Sequence, residues 1–142
     1  MCSSDLDWYA RLQEFVRALL GRKSHLVVLG DLNIAPEDRD VHDPAAWEGS
    51  VLVSEPERAA FRQLAQAGLR DCFRLFTSMG GCYTWWDYRA AAFRRNLGLR
   101  IDHILASKML ADTCTGCRID REPRKLQQPS DHAPVVADFD FC

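Results

Sequence analysis

This chain has no apolar run near the roughly 18–20 residues that a membrane-spanning helix needs. No charged-then-apolar leader opens it, so nothing points to secretion. It also lacks an excess of positive charge. Eighteen Lys and Arg stand against 20 Asp and Glu, for a net charge of −2. The chain as a whole therefore has no field to draw a polyanion, and any basic surface must be local. Six cysteines fall at irregular spacing, which excludes a disulfide framework and a paired zinc pattern. A reducing cytoplasm is then the expected compartment. The lone Cys114-x-x-Cys117 has no second pair and is a poor zinc or redox motif. There is no repeat, low-complexity tract or linker. What is present, 47% hydrophobic and 27% charged residues over 142 positions, is the composition of one ordinary globular domain.

The pattern along the chain alternates helices and strands. Trp8 to Leu20 places Trp8, Leu12, Phe15, Val16, Leu19 and Leu20 on a helical stripe, with Gly21 past its end. Leu26 to Leu29 is short and rich in β-branched residues, which predicts a strand covered on both faces. Residues 36–53 form a long polar segment, and loops of that length are usually functional or disordered. Ser54 and Glu57 make a capping box for a helix that turns Phe61, Leu64 and Ala65 inward and ends near Gly68. Strands are expected in "GCYTWWDYR", "RIDHILA" and "APVVADFDF", with a weaker one in "CRIDREPRKL". His25 and His42 are expected at the surface.

The apolar run "LVVL" leads into Gly30, Asp31, Leu32 and Asn33. Alternation along a strand puts Asp31 and Asn33 on one side, at the carboxyl end where α/β proteins often place their chemistry. A carboxylate there can orient or deprotonate a water, and the amide can donate to an anionic oxygen. A simple Asx turn closing the strand would account for the same residues. Asp102 lies inside an apolar strand and needs a partner if ionised. His132, following Asp131, can supply one. A buried Asp on one ring nitrogen fixes the tautomer and leaves the other nitrogen for a substrate. An ion pair of Asp102 with Arg100, and a turn cap at "SDH", are the plainer alternatives.

Adjacent Trp85 and Trp86 on a strand face opposite sides, so one can be core while the other is displayed. Between Tyr88 and Ile101 stand Arg89, Arg94, Arg95 and Arg100 without an acidic residue. This is a local basic patch of the kind that phosphate contact requires. The alternative is a solvated loop whose arginines pair with Asp38, Asp40 or Asp43.

Together "GDLNIAP", "TWWDYR", "LRIDHILAS" and "PSDHAPV" resemble the carboxyl half of the exodeoxyribonuclease III family, within the endonuclease/exonuclease/phosphatase superfamily. The resemblance covers nearly everything from Trp8 onward. It implies an α/β fold, a portion of a four-layer α/β/β/α sandwich with its amino-terminal half missing. It implies hydrolysis of DNA phosphodiesters at abasic sites and 3′ ends, with double-stranded DNA as partner, no membrane, and a monomeric full-length relative. Under it, Asp31 activates the attacking water, Asn33 positions water and phosphate, and Asp102 holds His132 against a non-bridging oxygen. Asp131 lies with Asp31 on the side of a divalent metal, Mg²⁺ or Mn²⁺. Trp85 and Trp86 shape the pocket for the base-less sugar, and Arg89, Arg94 and Arg95 meet DNA.

The family's opening Trp-Asn and Gln-Glu motifs and its mid-chain Tyr have no counterpart here. Gln13-Glu14 falls in the amphipathic helix and does not match. "MCSSDL" is also what one frame of a common sequencing-adapter string would encode. Residues 1–6 are therefore expected to be a non-native leader, with 7–142 the carboxyl-terminal part of a single domain. The alternatives to a truncated, inactive nuclease are a non-catalytic DNA-binding fragment and a phosphatase of the same superfamily. The Trp-Trp and arginine segment argues against the phosphatase, because a small phosphoester has no need of it.

Overall fold

A computed structural model describes residues 3–141. The chain runs α1 (Ser3–Leu20), β1 (Val27–Asp31), α2 (Pro44–Trp47), α3 (Glu55–Gln66), β2 (Leu69–Asp71), β3 (Trp85–Trp86), β4 (Gly98–Leu99), β5 (Asp102–Ser107), α4 (Lys108–Ala111), β6 (Cys114–Ile119) and β7 (Val135–Phe139), with short 3₁₀ turns between. Among the described residues, no helix is long and apolar enough to cross a membrane.

Helix α1 begins at Ser3, earlier than the predicted start at Trp8, so Ser3 to Leu6 of the expected leader are helical. Asp5 in the first turn opposes the positive end of the helix dipole. Met1 and Cys2 lie outside the described residues. The inward stripe is Tyr9, Leu12, Val16 and Leu20, which pack with Phe61 and Leu64 of α3 and with Leu105 of β5. Trp8 and Phe15, expected on that stripe, are 52% and 62% exposed. A one-position rotation of the buried face accounts for the difference. The capping box of α3 is also modified. Ser54 Oγ donates to Glu57 Oε1 at 3.0 Å, while Glu57 Oε2 accepts from Leu52 N at 2.8 Å rather than from the cap itself. Ala65 is exposed.

β5 is the centre of a three-stranded antiparallel sheet ordered β1-β5-β2. Its register pairs Asp31 directly with Asp102. Contrary to the expectation of a strand covered on both faces, β1 is an edge strand, and Leu29 is 67% exposed. Ribbon β3-β4 and hairpin β6-β7 form two further antiparallel pairs. They meet at a bridge between Trp85 and His132. The weaker strand candidate divides into β6 and a 3₁₀ turn at Glu122–Lys125, where Pro123 withdraws a backbone donor.

A buried ion network holds the long polar segment against β5. Asp40 is fully buried and accepts from Arg100 Nε at 2.6 Å and from Arg74 Nη2 at 2.5 Å. Arg100 Nη2 reaches Asp71 at 2.8 Å. Arg100 is thus core and not part of a displayed basic patch. Its pairing with Asp40 and Asp71 leaves Asp102 free for another partner. The fully buried His103 bonds Ile34 O through Nε2 at 2.7 Å and Arg100 Nη1 through Nδ1 at 3.3 Å. His42, expected at the surface, is half-buried with Nδ1 3.0 Å from Gly98 O.

Candidate active site

Three loops bring the charged groups together. The first follows β1. Gly30 and Asn33 both have positive φ, 132° and 54°, conformations that Gly and Asn tolerate better than other residues. Asn33 N donates to Asp31 Oδ1 at 2.9 Å. The Asx turn offered as the plain alternative is therefore formed, and it is also what holds the Asp31 carboxylate in place. Tyr9 Oη donates to Leu32 O between them. Asp31, Asn33, Trp8, Tyr9 and Glu57 line a cleft of about 420 Å³.

The second element is the start of β5. Thr84 Oγ1 accepts from Ile101 N and Asp102 N at 3.0 and 3.1 Å, which orients the turn from which the Asp102 side chain projects. The third is the loop before β7. Trp86 N donates to Asp131 O at 3.1 Å and Ala133 N to Thr84 O at 2.7 Å. This brings His132 Nδ1 to 2.8 Å from Asp102 Oδ2. His132 Nε2 then lies 3.8 Å from Asp31 Oδ2 and 3.9 Å from Asp131 Oδ1. The predicted Asp102–His132 pair is formed, Asp31 and Asp131 gather beside it, and Asn33 lines the adjoining cleft with Asp31.

The electrostatics follow from this crowding. Burial disfavours the His132 cation. The hydrogen bond and charge of Asp102, with the charges of Asp31 and Asp131, outweigh that and hold its pKa above the ordinary 6.5. Asp31 is pushed up from 3.8, first by burial and then by the charges of Asp102 and Asp131. The Asn33 amide and His132 pull it back only in part. A carboxylate with a raised pKa beside an imidazole with a raised pKa is a pairing suited to general acid–base work.

The donors gathered here suit a hard divalent cation. Asp31, Asp102 and His132 each offer an atom, all within 4.8 Å of one another. The compact group thus differs from the expected pair of Asp31 and Asp131. However, Asp102 is committed to His132 Nδ1, and Asp131 Oδ2 accepts from Trp85 Nε1 at 3.0 Å, leaving its Oδ1 toward the site. Two half-exposed carboxylates, Asp31 and Asp131, match the way Mg²⁺ is held by one or two carboxylates with water and substrate oxygens.

The two tryptophans divide as their alternation requires. Trp85 is half-exposed and joins the site through Asp131. Trp86 is fully buried, its Nε1 bonded to Asn96 Oδ1 at 3.1 Å and its ring edge-on to Phe93. Trp86 is therefore core and does not line a sugar pocket. Arg89 is paired with Asp87 at 2.7 Å, an acidic residue just before the basic segment. Arg94 and Arg95 are exposed. Thr84, Tyr9, Tyr88 and Arg124 support the site and escaped the sequence reading. Thr84 and Tyr88 lie within "TWWDYR" but were not singled out there, and Tyr9 and Arg124 lie in no motif.

The profile described as "Endonuclease/Exonuclease/phosphatase family" matches residues 3–132. The chain belongs to that family. Family members that it resembles include exodeoxyribonuclease III of Haemophilus influenzae, 37% identical over 93% of this chain and 52% of that protein. A solved structure of the 3′ phosphatase NExo (D146N) from Neisseria, bound to product DNA hairpin, superimposes with a TM-score of 0.93 at 49% identity, over 95% of this chain and 52% of that one. An AP endonuclease from Archaeoglobus fulgidus superimposes at 0.90 and 38% identity, over 96% and 53%. The fold is accordingly that of the AP endonucleases and exonucleases. The chain spans about half the length of the relatives it matches.

Proposed function

We propose that residues 7–142 are the carboxyl-terminal part of a divalent-metal-dependent DNA-repair nuclease that hydrolyses phosphodiesters at abasic sites and 3′ ends of duplex DNA. The observation that carries this reading is the Asp102–His132 bond of 2.8 Å, with His132 Nε2 facing Asp31 and Asp131. Support comes from the names of the relatives, which include an exodeoxyribonuclease III, a 3′ phosphatase on DNA and an AP endonuclease.

In this mechanism Asp31, whose pKa is raised by burial, accepts the proton of the attacking water, and Asn33 holds the turn that aims it. His132 donates from Nε2 to a non-bridging phosphate oxygen as negative charge builds there. Asp102 accepts from Nδ1, orients the ring and favours its charged form. Mg²⁺ or Mn²⁺, held by Asp31 and Asp131, would polarise the phosphate and stabilise the leaving oxygen. Trp85 flanks the site where the base-less sugar would sit, and Arg94 and Arg95 offer exposed charge to the backbone phosphates.

The test is a chimera joining residues 7–142 to the amino-terminal half of the Neisseria meningitidis 3′-5′ exonuclease, to whose structure this chain is 50% identical. Metal-dependent cleavage of a duplex with one abasic site, or release of phosphate from a 3′-phosphorylated duplex, is expected, and EDTA should abolish both. A chimera that binds duplex DNA and cleaves nothing would favour the non-catalytic reading.

A further inference from the structure

The Pro129–Asp131 backbone is held at each of three successive carbonyls. Tyr88 Oη donates to Pro129 O at 2.8 Å, Arg124 Nη1 to Ser130 O at 2.9 Å, and Trp86 N to Asp131 O at 3.1 Å. Of these donors Arg124 is the unexpected one. It is 6% exposed, and its guanidinium lies 4.7 Å from the Phe93 centroid, 5.6 Å from Tyr88 and 5.8 Å from Trp86. Its Nε has no hydrogen-bond partner. Among the described residues no carboxylate comes within ion-pair range of it. Burying a charge without a counter-ion is costly, and an apolar side chain could fill a slot lined by Phe93, Trp86 and Tyr88 at lower cost. What an apolar side chain could not do is reach the Ser130 carbonyl.

We propose that Arg124, with Tyr88, is a positioning residue that clamps the Ser130–Asp131–His132 loop and ties it to the arginine-bearing segment 88–95. Tyr88 and Phe93, the rings under the guanidinium, belong to the same segment as Arg89, Arg94 and Arg95. The hydroxyl of Tyr88 holds one end of the loop, and Arg124 holds its middle. Asp131 Oδ2 is then presented to Trp85 Nε1, and Oδ1 toward His132 Nε2. A displacement of segment 88–95 is therefore passed directly to the two residues at the reacting face. The importance of this for hydrolysis rests on the proposed nuclease function, but the clamp itself can be measured without DNA, metal or turnover, so the two fail separately.

The Trp85 indole N–H, bonded to Asp131, is the reporter. Its solvent exchange would be followed by NMR in the whole chain, with the Trp86 indole, bonded to Asn96, as internal control. Arg124→Met keeps the stem and removes the donor. It should speed Trp85 exchange about tenfold or more, as expected for loss of a charged hydrogen bond, and leave Trp86 exchange within about twofold. Tyr88→Phe removes one hydroxyl from an exposed ring and should speed Trp85 exchange severalfold. If Arg124→Met does not fold, Tyr88→Phe still decides. Unchanged Trp85 exchange in either folded variant overturns the clamp. Equal acceleration of both indoles also overturns it, because it would show a general loosening and not the positioning of one loop.

Discussion

The Asp102 carboxylate accepts a hydrogen bond from His132 Nδ1 at 2.8 Å, across 30 residues of chain. That contact, with the charges of Asp31 and Asp131, outweighs burial and keeps the imidazole pKa above 6.5. Asp102→Asn should therefore lower the His132 pKa, read from its ring signals by NMR titration. The effect on stability has a definite sign. A histidine whose folded pKa is raised adds stability that is fully present below its unfolded value and is lost as pH rises through the folded one. The stability gap between wild type and Asp102→Asn should thus be widest below pH 6.5 and close above the His132 titration, as measured by urea unfolding across that range.

Asp31→Asn, in a protein complete enough to cleave, should abolish hydrolysis of abasic DNA while leaving duplex binding within about twofold, because the amide keeps the shape and loses the base. His132→Ala should lower the rate by about 10²–10³, the usual effect of removing one preorganised donor to a developing oxyanion. Single-turnover cleavage with binding measured separately distinguishes the two roles. Wild-type turnover by Asp31→Asn would refute the assignment of Asp31.

Acid should weaken the fold through His103. Burial, then the charge of Arg100, hold its pKa at about 4, below the ordinary 6.5. A depressed folded pKa contributes stability that is present above the unfolded value and is lost as pH falls toward the folded one. The loss should run from pH 6.5 to about 4 and amount to about 3 kcal/mol, at 1.36 kcal/mol per unit. In His103→Gln this part of the pH dependence should vanish, whatever the variant's overall stability.

Gly98 permits the ribbon that carries both tryptophans. A Cβ there would lie 2.6 Å from Trp86 Nε1 and 2.7 Å from Trp85 O. Neither a packed indole nor a strand backbone can yield cheaply. Gly98→Ala should cost about 1–3 kcal/mol, the range for overpacking, and should shift the Trp85 and Trp86 indole signals together.

The chain alone should hydrolyse little DNA and self-associate. Leu29 is exposed on the edge strand β1, and an unpaired apolar edge recruits other chains. Ile101 is buried at 2% exposure among Leu99, Val41 and Val53 and adds nothing to that exposed edge. Leu29→Lys should move the size-exclusion profile toward monomer without changing the melting temperature by more than about 2 °C, as for a surface substitution.

Much of the site was legible in short motifs. Asp31-x-Asn33 needs only strand alternation and turn chemistry, and these act over three residues. The need of Asp102 for a partner follows from its apolar neighbours. The identity of that partner could be inferred from "SDH", because a carboxylate in a strand and a histidine before another strand can satisfy each other. The helices and most strands followed from periodicity, which is a local property.

Local pattern was silent wherever the outcome depended on what lies opposite. Which face of α1 is buried, placing Tyr9 inside and Trp8 outside, was decided by α3 and β5. Arg100 reads as one of four arginines in a basic stretch, but the carboxylates of Asp40 and Asp71, 60 and 29 residues away, draw it into the core. Alternation separates Trp85 from Trp86, but only the packing of Phe93 and the bond to Asn96 shows that Trp86 is the buried one. Arg124 carries no motif at all. Its place beneath the 129–131 carbonyls exists only once hairpin β6-β7 lies against ribbon β3-β4. The sequence by itself determined the chemistry available, because side-chain type and period are written residue by residue. The tertiary structure alone decided which charges are satisfied in the interior and which remain at the site, because the cost of burying a charge depends on partners that the chain brings together only when it folds.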